Sequence, residues 1–231
     1  MTTREKTGLL PLAEAQPGRP FAEQAFTIAF GAIQWPWLLK SLWGGTQAEK
    51  RALIARLGLN PDALPNLGSW KADTTFLVRL IDVIERTRPQ QVVELGCGAT
   101  SLVIGKALQL HGGGQLTGFD QHAGFVEQTS RWLESHGVQA ELRAAPIGPV
   151  ASDWASRWYH LPVAPPSIDL LVIDGPPWAI NPFVRGGAEV LFDRIVPGGI
   201  VLLDDAARPG ERVVANRWRQ RWPDFRFEYL G

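Results

Sequence analysis

The chain has 231 residues, of which 45% are apolar and 20% are charged. This balance is typical of a globular protein with a sizeable core, and it excludes a wholly disordered or fibrous chain. Basic and acidic residues number 23 each, so the zero net charge argues against duplex nucleic acid as a partner. The single cysteine, Cys97, excludes an internal disulfide and a multi-cysteine zinc site. No secretory leader pattern opens the sequence, so we expect a cytoplasmic protein.

An apolar, tryptophan-rich stretch runs from Phe26 to Trp43. It is too short, and too interrupted by residues such as Pro36, to be a membrane span. We interpret it as a helical cap that packs on the main domain. A lid over a substrate pocket, a homodimer face and a contact with a membrane surface are the alternatives.

Beyond this stretch, apolar periodicity predicts two helices and then a regular alternation of strands and helices. The alternation predicts an α/β fold with a doubly wound, mostly parallel sheet. We assign residues 1–69 to a helical N-terminal extension or lid, and residues 70–231 to the main domain. The predicted strands cover residues 91–95, 116–119, 140–143, 168–173, 199–203 and 225–229, and the predicted helices cover residues 47–58, 74–86, 100–110, 125–133, 187–195 and 213–221.

The strongest local signal runs from Val92 to Ser101, where a strand enters a glycine turn and then a helix. Glycine lets the backbone approach a ligand closely, and the helix N-terminus supplies free N–H groups. Ser101 stands where a dinucleotide fingerprint requires its third glycine, so a nicotinamide cofactor is disfavoured. Asp120 ends the next strand, 22 residues beyond Gly98. An acid there can bind both hydroxyls of a ribose, or it can cap the following helix.

Three aspartates follow two further strands. Asp174 comes after the fourth strand, and Asp204 and Asp205 come after the fifth. Adjacent parallel strands end at the same edge of a sheet, so we expect these carboxylates to lie together. They repel one another unless they are protonated, hydrogen-bonded or bridged by a cation, and oxygen-rich sites of this kind suit Mg²⁺ or Ca²⁺. The alternative is that the aspartates cap a turn and orient a loop.

Taken together, these segments resemble a class I S-adenosylmethionine-dependent methyltransferase. The resemblance rests on the glycine turn, Asp120, the run from Ile168 to Pro177 and the segment from Val196 to Glu211. The pattern is most similar to the catechol-O-methyltransferase-like subgroup, which includes small bacterial members. It covers about residues 70–231 and leaves the N-terminal stretch outside.

The resemblance implies a Rossmann-like methyltransferase fold and a defined role for each motif. The turn would hold the methionine part of the cofactor, Asp120 would hold the ribose, and the backbone near Ala145 would contact the adenine. Relatives bind Mg²⁺ with an aspartate and an Asp-Asn pair, in which Asp205 here replaces the asparagine. The implied cofactor-binding residues are Glu94, Gly96, Gly98, Thr100, Ser101, Asp120 and Ala145, and the implied metal ligands are Asp174, Asp204 and Asp205.

One departure from the family pattern concerns proton transfer. Catechol-type relatives carry a lysine base three residues after the first metal-binding aspartate, and this chain has Pro177 there. Trp178, which follows, is a candidate wall of the acceptor pocket. The substitutes for the missing base are Asp174 itself, His122, His160 and Arg185.

The sequence therefore predicts methyl transfer from S-adenosylmethionine, to oxygen in preference to nitrogen, on a small-molecule or glycan-type acceptor, with Asp174 as the catalytic residue. Another adenosyl-ligand enzyme, such as an aminopropyl transferase, is one alternative. A non-catalytic cofactor-binding scaffold or membrane-associated protein on the same fold is the other. The last arginines are expected on a solvated helix face: Arg208, Arg212, Arg217, Arg219 and Arg221.

Overall fold

Strands and helices alternate through most of the chain, as the apolar periodicity predicts. The structure is a computed structural model that describes residues 20–69 and 71–230. Its helices are α1 (Phe21–Ser41), α2 (Gln47–Arg56), α3 (Thr74–Thr87), α4 (Ala99–Leu110), α5 (Ala123–Ser135), a 3-10 helix (Val184–Arg194) and α6 (Pro209–Arg221). Its strands are β1 (Gln91–Leu95), β2 (Gln115–Asp120), β3 (Glu141–Ala144), β4 (Ile147–Pro149), β5 (Arg157–Tyr159), β6 (Ile168–Ile173) and β7 (Ile195–Leu203).

Five of these strands form the central sheet, in the order β3-β2-β1-β6-β7, and every pairing is parallel. Leu95 at the end of β1 pairs with Phe119 on one side and Ile173 on the other, so the strands end level with one another. From β1 the chain first adds β2 and β3 on one side, and it then returns to add β6 and β7 on the other side, so the strand order reverses between β1 and β6. Ligands bind outside the carboxyl ends of the strands at such a switch point. The predicted doubly wound parallel sheet is confirmed.

Each face of the sheet packs against its own apolar core, because successive strand residues point to opposite faces. Val92 belongs to the core beneath α2, α3 and α4, whereas Val93 and Leu95 belong to the core beneath the 3-10 helix and α6. Helix α2 contributes Leu53 and Ile54 to the first core. This part of the N-terminal segment therefore packs directly into the main body of the protein.

Helix α1 lies along the 3-10 helix and α6 and is anchored by both polar and aromatic contacts. Phe26 and Phe30 pack against the Phe183 ring, with centroids 5.6 and 5.4 Å away. Glu23 accepts hydrogen bonds from Ser156 and Asn181. The outward face of α1 exposes apolar side chains, and within the described residues no helix has the length and apolarity needed to span a membrane.

The predicted sixth strand over residues 225–229 is wrong. Phe225 stacks on Phe192 with ring centroids 5.2 Å apart, and the segment is irregular with no ladder partner. Its alternating aromatic residues satisfy a strand pattern, but they cover the second core from outside the sheet. The sequence also missed the antiparallel β4–β5 hairpin, whose Gly-Pro step resembles a loop. Residues 1–19, Trp70 and Gly231 of the predicted segments lie outside the described part of the chain.

We expect Phe183→Ala to loosen α1 while the sheet remains folded. The substitution removes the ring that holds both Phe26 and Phe30, and the loss at this half-buried position is about 2 kcal/mol. Hydrogen exchange measured by mass spectrometry should therefore accelerate in residues 21–41 and stay unchanged in β1 and β6. Phe227→Ala is the matched control, because Phe227 contacts Arg219 on α6. Equal acceleration in both variants would contradict this anchoring role.

Candidate active site

Four neighbouring strands of the sheet each end at, or just before, one predicted site residue, and these ends lie at the same edge of the sheet. Gly96 follows β1, Asp120 ends β2, Asp174 follows β6 and Asp204 follows β7. The backbone ties these ends together, because the N–H groups of Asp174 and Gly175 both donate to the Leu95 carbonyl, at 2.9 and 2.7 Å. The structure thus brings the predicted glycine turn and the predicted acidic residues to a single edge.

The glycine turn between β1 and α4 fits closely on one side and is open on the other. Gly96 has a φ of +92°, and a Cβ there would lie 2.7 Å from the Gly175 nitrogen, so no larger residue fits. Gly98 has a φ of +155°, and a Cβ there would meet only the Phe125 ring, at 3.8 Å. The open side leaves the N-terminus of α4 accessible to a ligand.

Glu94 lies beneath this turn and is fully buried. Its Oε2 accepts a 2.5 Å hydrogen bond from Ser101, whose Oγ in turn accepts from the Gly98 N–H at 2.9 Å. Burial raises the pKa of Glu94 to about 8, although hydrogen bonds from Ser101 and Thr100 oppose this shift. Its Oε1 has no hydrogen-bond partner among the described residues. A buried polar atom of this kind calls for a polar ligand group or an ordered water.

Asp120 and Ala145 hold the loops on the other side of the turn. The Asp120 side chain accepts from the His122 N–H at 3.0 Å. His122 is itself the N-cap residue of α5, so Asp120 does not have the helix-capping role that the sequence offered as one alternative. The Asp120 carbonyl accepts from the N–H of Ala145 at 2.7 Å, and Ala145 is fully buried. This bond places the loop after β3 beside the end of β2.

Asp174, Asp204 and Asp205 form the predicted acidic cluster, with one carboxylate oxygen from each lying within 4.8 Å of the others. Asp205 adopts a left-handed backbone conformation, with a φ of +56°. Non-glycine residues rarely adopt this conformation, and it is enriched at functional sites. The turn after β7 therefore carries backbone strain at the point where it presents Asp205.

The buried side chain of Arg185, on the 3-10 helix, holds this cluster together. It donates to the carbonyl of Asp174 at 2.5 Å and to that of Asp204 at 2.9 Å. Its guanidinium also lies 3.4 Å from carboxylate oxygens of Asp174 and Asp205. Burial alone would lower the pKa of Arg185, but the surrounding carboxylates raise it, so the side chain stays charged. Arg185 is therefore no candidate for the missing base, contrary to the sequence prediction.

A second arginine, Arg208, ion-pairs with Asp205 at 2.8 Å and is also buried. This contradicts its predicted place on a solvated helix face. The sequence pattern misassigned it because Arg208 precedes α6 and points back toward the strand ends. Glu211, one turn further along, lies 4.0 Å from Arg185 and is equally buried. The sequence analysis gave Glu211 no role, and only its position in the segment after β7 marks it.

Acidic charge still exceeds basic charge around the cluster, and this imbalance controls protonation. Burial raises the pKa of Asp174 to about 7, with Arg185 opposing the shift and Asp205 adding to it. Burial, followed by the charges of Asp205 and Asp174, raises the pKa of Asp204 well above its usual range. Burial also raises the pKa of the neighbouring Glu211 to about 7, so Asp174 and Glu211 are the two carboxyls around Arg185 whose pKa is raised into the neutral range.

The remaining candidates have other surroundings. His160 is exposed and lies 3.0 Å from the Pro149 carbonyl on the β4–β5 hairpin. His122 lies beside Gln121 at the start of α5. Cys97 is buried and its pKa is raised by burial, so its thiol stays protonated, in keeping with a packing role. Trp178 lies under α1, where a Cβ on Gly31 would approach its ring to 3.1 Å.

Comparison with known proteins associates this part of the chain with methyl transfer. Residues 93–206 match a family described as a methyltransferase domain. The matched segment begins within β1 and ends just after β7, so it contains all four strand ends. No curated protein sequence matches the chain.

Among solved structures, the chain is similar to an O-methyltransferase from Bacillus cereus in complex with S-adenosylhomocysteine, at 11% identity, with 86% of this chain and 88% of that chain covered and a TM-score of 0.49. It is similar to the O-methyltransferase TomG from Streptomyces achromogenes in complex with S-adenosylmethionine, at 13% identity, 87% coverage of both chains and a TM-score of 0.46. A methyltransferase from Geobacter sulfurreducens matches at 17% identity, with 84% and 87% covered and a TM-score of 0.46.

We expect Glu94→Gln to flatten the decline in stability with rising pH. The pKa of Glu94 rises from its usual 4.5 to about 8 on folding, so the folded protein binds more protons than the unfolded chain between these values. Stability from this group is complete below the unfolded pKa and is lost as pH rises through the folded pKa. Urea denaturation from pH 5 to 9 should therefore give a smaller slope for Glu94→Gln than for wild type. The exposed Glu134→Gln serves as control, and equal slopes for all three proteins would refute this assignment.

Proposed function

We propose that the protein is an S-adenosylmethionine-dependent methyltransferase that methylates a hydroxyl oxygen of a small-molecule acceptor, in keeping with the match of residues 93–206 to a methyltransferase-domain family. The observation that carries the proposal is the position of the Asp174 carboxyl beside Arg185 at the switch point of the sheet, where burial raises its pKa to about 7. A hydroxyl acceptor must lose a proton during the transfer, whereas an amine need only be neutral. A proton acceptor poised near neutral pH therefore favours oxygen.

The proposed cofactor site follows the open side of the glycine turn. The unpartnered Oε1 of Glu94 supports a contact, direct or through water, with the cofactor's amino group. The N-terminus of α4 with Thr100 faces its carboxylate, while Asp120 and the backbone at Ala145 hold the ribose and the adenine. Ser101 already bonds Glu94, so we assign it to positioning Glu94 as well as to the carboxylate.

In the proposed mechanism, the cofactor supplies a methyl group on a sulfonium centre, which is already bound to its leaving group. The protein positions the methyl donor and the acceptor, excludes water and provides a proton acceptor. The glycine turn fixes the donor, and α1 with Trp178 covers the acceptor side and excludes water. Asp174 accepts the hydroxyl proton as the carbon–sulfur bond breaks and the carbon–oxygen bond forms. Arg185 positions Asp174 by holding its backbone carbonyl and lying against its carboxylate.

Mg²⁺ at the acidic cluster is a separate proposal for the same residues. Asp174, Asp204 and Asp205 offer the oxygen ligands that this ion prefers, and the cluster carries more carboxylates than guanidinium groups, so a divalent cation fits its charge. When bound, Mg²⁺ would lower the pKa of a hydroxyl that it contacts. Asp174 would then be a ligand and not the proton acceptor, so activity in EDTA separates the two proposals.

A non-catalytic scaffold is the weaker alternative, because the family match and the poised carboxyl both favour an enzyme. Contact with a membrane surface and homodimer formation stay predictions for the stretch from Phe26 to Trp43. What supports them is apolar exposure: Ile28 and Trp35 on the outward face of α1, and Trp43 just after the helix, are mostly exposed. Such contiguous apolar exposure is typical of interaction surfaces.

We expect Asp174→Asn to lower kcat by roughly 10²- to 10⁴-fold, because it removes the proton acceptor. The wild-type rate in EDTA should rise with pH up to about 7 and then level off, following deprotonation of Asp174. The measurement is release of S-adenosylhomocysteine in the presence of a panel of phenols and sugars. Affinity for S-adenosylhomocysteine, measured by calorimetry, should stay within a few-fold of wild type.

The control for this prediction is Asp193→Asn, which removes an exposed carboxylate on the 3-10 helix. Full activity of Asp174→Asn, or a wild-type rate that does not change between pH 5 and 8, would rule out Asp174 as the base. Activity that disappears in EDTA and returns with Mg²⁺ would support the metal proposal instead.

A further inference from the structure

Hydrogen bonds hold helix α1 at its start and at its end, and both bonds join it to segments that follow strands of the sheet. Glu23 near its start accepts from Asn181 at 2.7 Å, and Ser41 at its end accepts from Arg208 at 3.2 Å. Arg208 in turn ion-pairs with Asp205 of the acidic cluster. The middle of α1 therefore spans the gap between the loop after β6 and the turn after β7.

Two side chains at or beside the middle of α1 have buried polar atoms with no hydrogen-bond partner among the described residues. Gln34 has no exposed surface, and neither its Nε2 nor its Oε1 has a hydrogen-bond partner among the described residues. The indole Nε1 of Trp178 is buried and unpartnered in the same sense. Burying an unsatisfied amide destabilises a protein, so a Gln retained in such a position calls for an explanation.

Helix geometry locates Gln34 relative to the proposed acceptor site. Gly31 contacts the Trp178 ring, and Gln34 lies one turn further along the same face, about 4.5 Å along the axis. Ser41, which contacts Arg208, lies about 10.5 Å beyond Gln34. Gln34 therefore lies on the face of α1 between Gly31, which contacts Trp178, and Ser41, which contacts Arg208.

The charged side chains near Trp178 and Arg208 restrict the kind of ligand that fits there. Arg185 and Arg208 each lie against carboxylates, so their charges are already balanced, although the Nε of Arg208 has no hydrogen-bond partner among the described residues. The carboxylates in excess favour hydroxyl donors. The Gln34 amide offers an NH2 group that donates and a carbonyl oxygen that accepts, and the indole N–H of Trp178 needs an acceptor oxygen.

We propose that Gln34 and Trp178 are acceptor-binding residues, and that the acceptor is an uncharged hydroxyl compound carrying a second oxygen-bearing polar group for Gln34. This proposal rests on the proposed function, since the first hydroxyl is the one methylated at Asp174. It adds that α1 belongs to the binding site itself and supplies specificity to it.

A first experiment tests the role of Gln34 without any acceptor. If the amide is kept for a ligand, Gln34→Met removes an unsatisfied group and raises the melting temperature of the ligand-free protein, by about 2 to 4 °C. Gln24→Met, on the exposed side of the same helix, should leave it unchanged. A lower melting temperature for Gln34→Met would show that the amide stabilises the fold, and it would overturn the proposal.

A second experiment uses matched acceptor probes. Para-hydroxybenzamide and resorcinol carry a second uncharged polar group, phenol carries none, para-hydroxybenzoate is anionic and tyramine is cationic. We expect wild type to methylate the first two best. Gln34→Met should raise their KM roughly five- to tenfold with little change in kcat, and should leave the KM for phenol unchanged.

The outcomes separate this inference from the proposed function. Preference for the charged probes, an equal KM change for phenol, or no turnover of any probe by protein that binds S-adenosylhomocysteine would overturn the acceptor assignment. Loss of S-adenosylhomocysteine binding in the wild-type protein would instead count against the proposed function.

Discussion

The structure depends on the burial of one positive charge, the guanidinium of Arg185, among carboxylates at the ends of β6 and β7. Buried carboxylates are costly unless they are paired or protonated. Arg185 contacts the backbone of both strand ends as well as two of the carboxylates, so it fixes the edge of the sheet on which the site is built. The protonation of Asp174 and the geometry of the turn at Asp205 both follow from this arrangement.

The same burial connects stability to chemistry. Burial raises the pKa of Asp174 to about 7, into the range where a carboxyl exchanges a proton at neutral pH. Helix α1 is in turn attached to the charged network through Ser41 and Arg208. Helix α1 and the acidic cluster are therefore joined by one chain of contacts through Arg208.

Local periodicity predicted much of this architecture, because buried parallel strands and their glycine turns leave strong signals. The acids at the strand ends were predicted for the same reason, since each directly follows an apolar run. The sequence analysis missed Arg185 and Arg208 as structural cations because their ion-pair partners lie on other elements. Without those partners in view, an arginine is expected at the surface. The strand predicted over residues 225–229 failed because alternating aromatic residues fit a strand and a capping loop equally well. Gln34 gave no signal at all, since its significance lies in having no partner once the helix is packed.

The most direct test of this account is the pKa of the Asp174 carboxyl itself, measured by NMR with ¹³C-labelled aspartate in the protein and with Asp174→Asn to assign the signal. The account predicts titration near pH 7, because burial and neighbouring carboxylates outweigh the charge of Arg185. Titration at about 4, the usual value for an exposed aspartate, would contradict it and would leave the site without a proton acceptor poised at neutral pH.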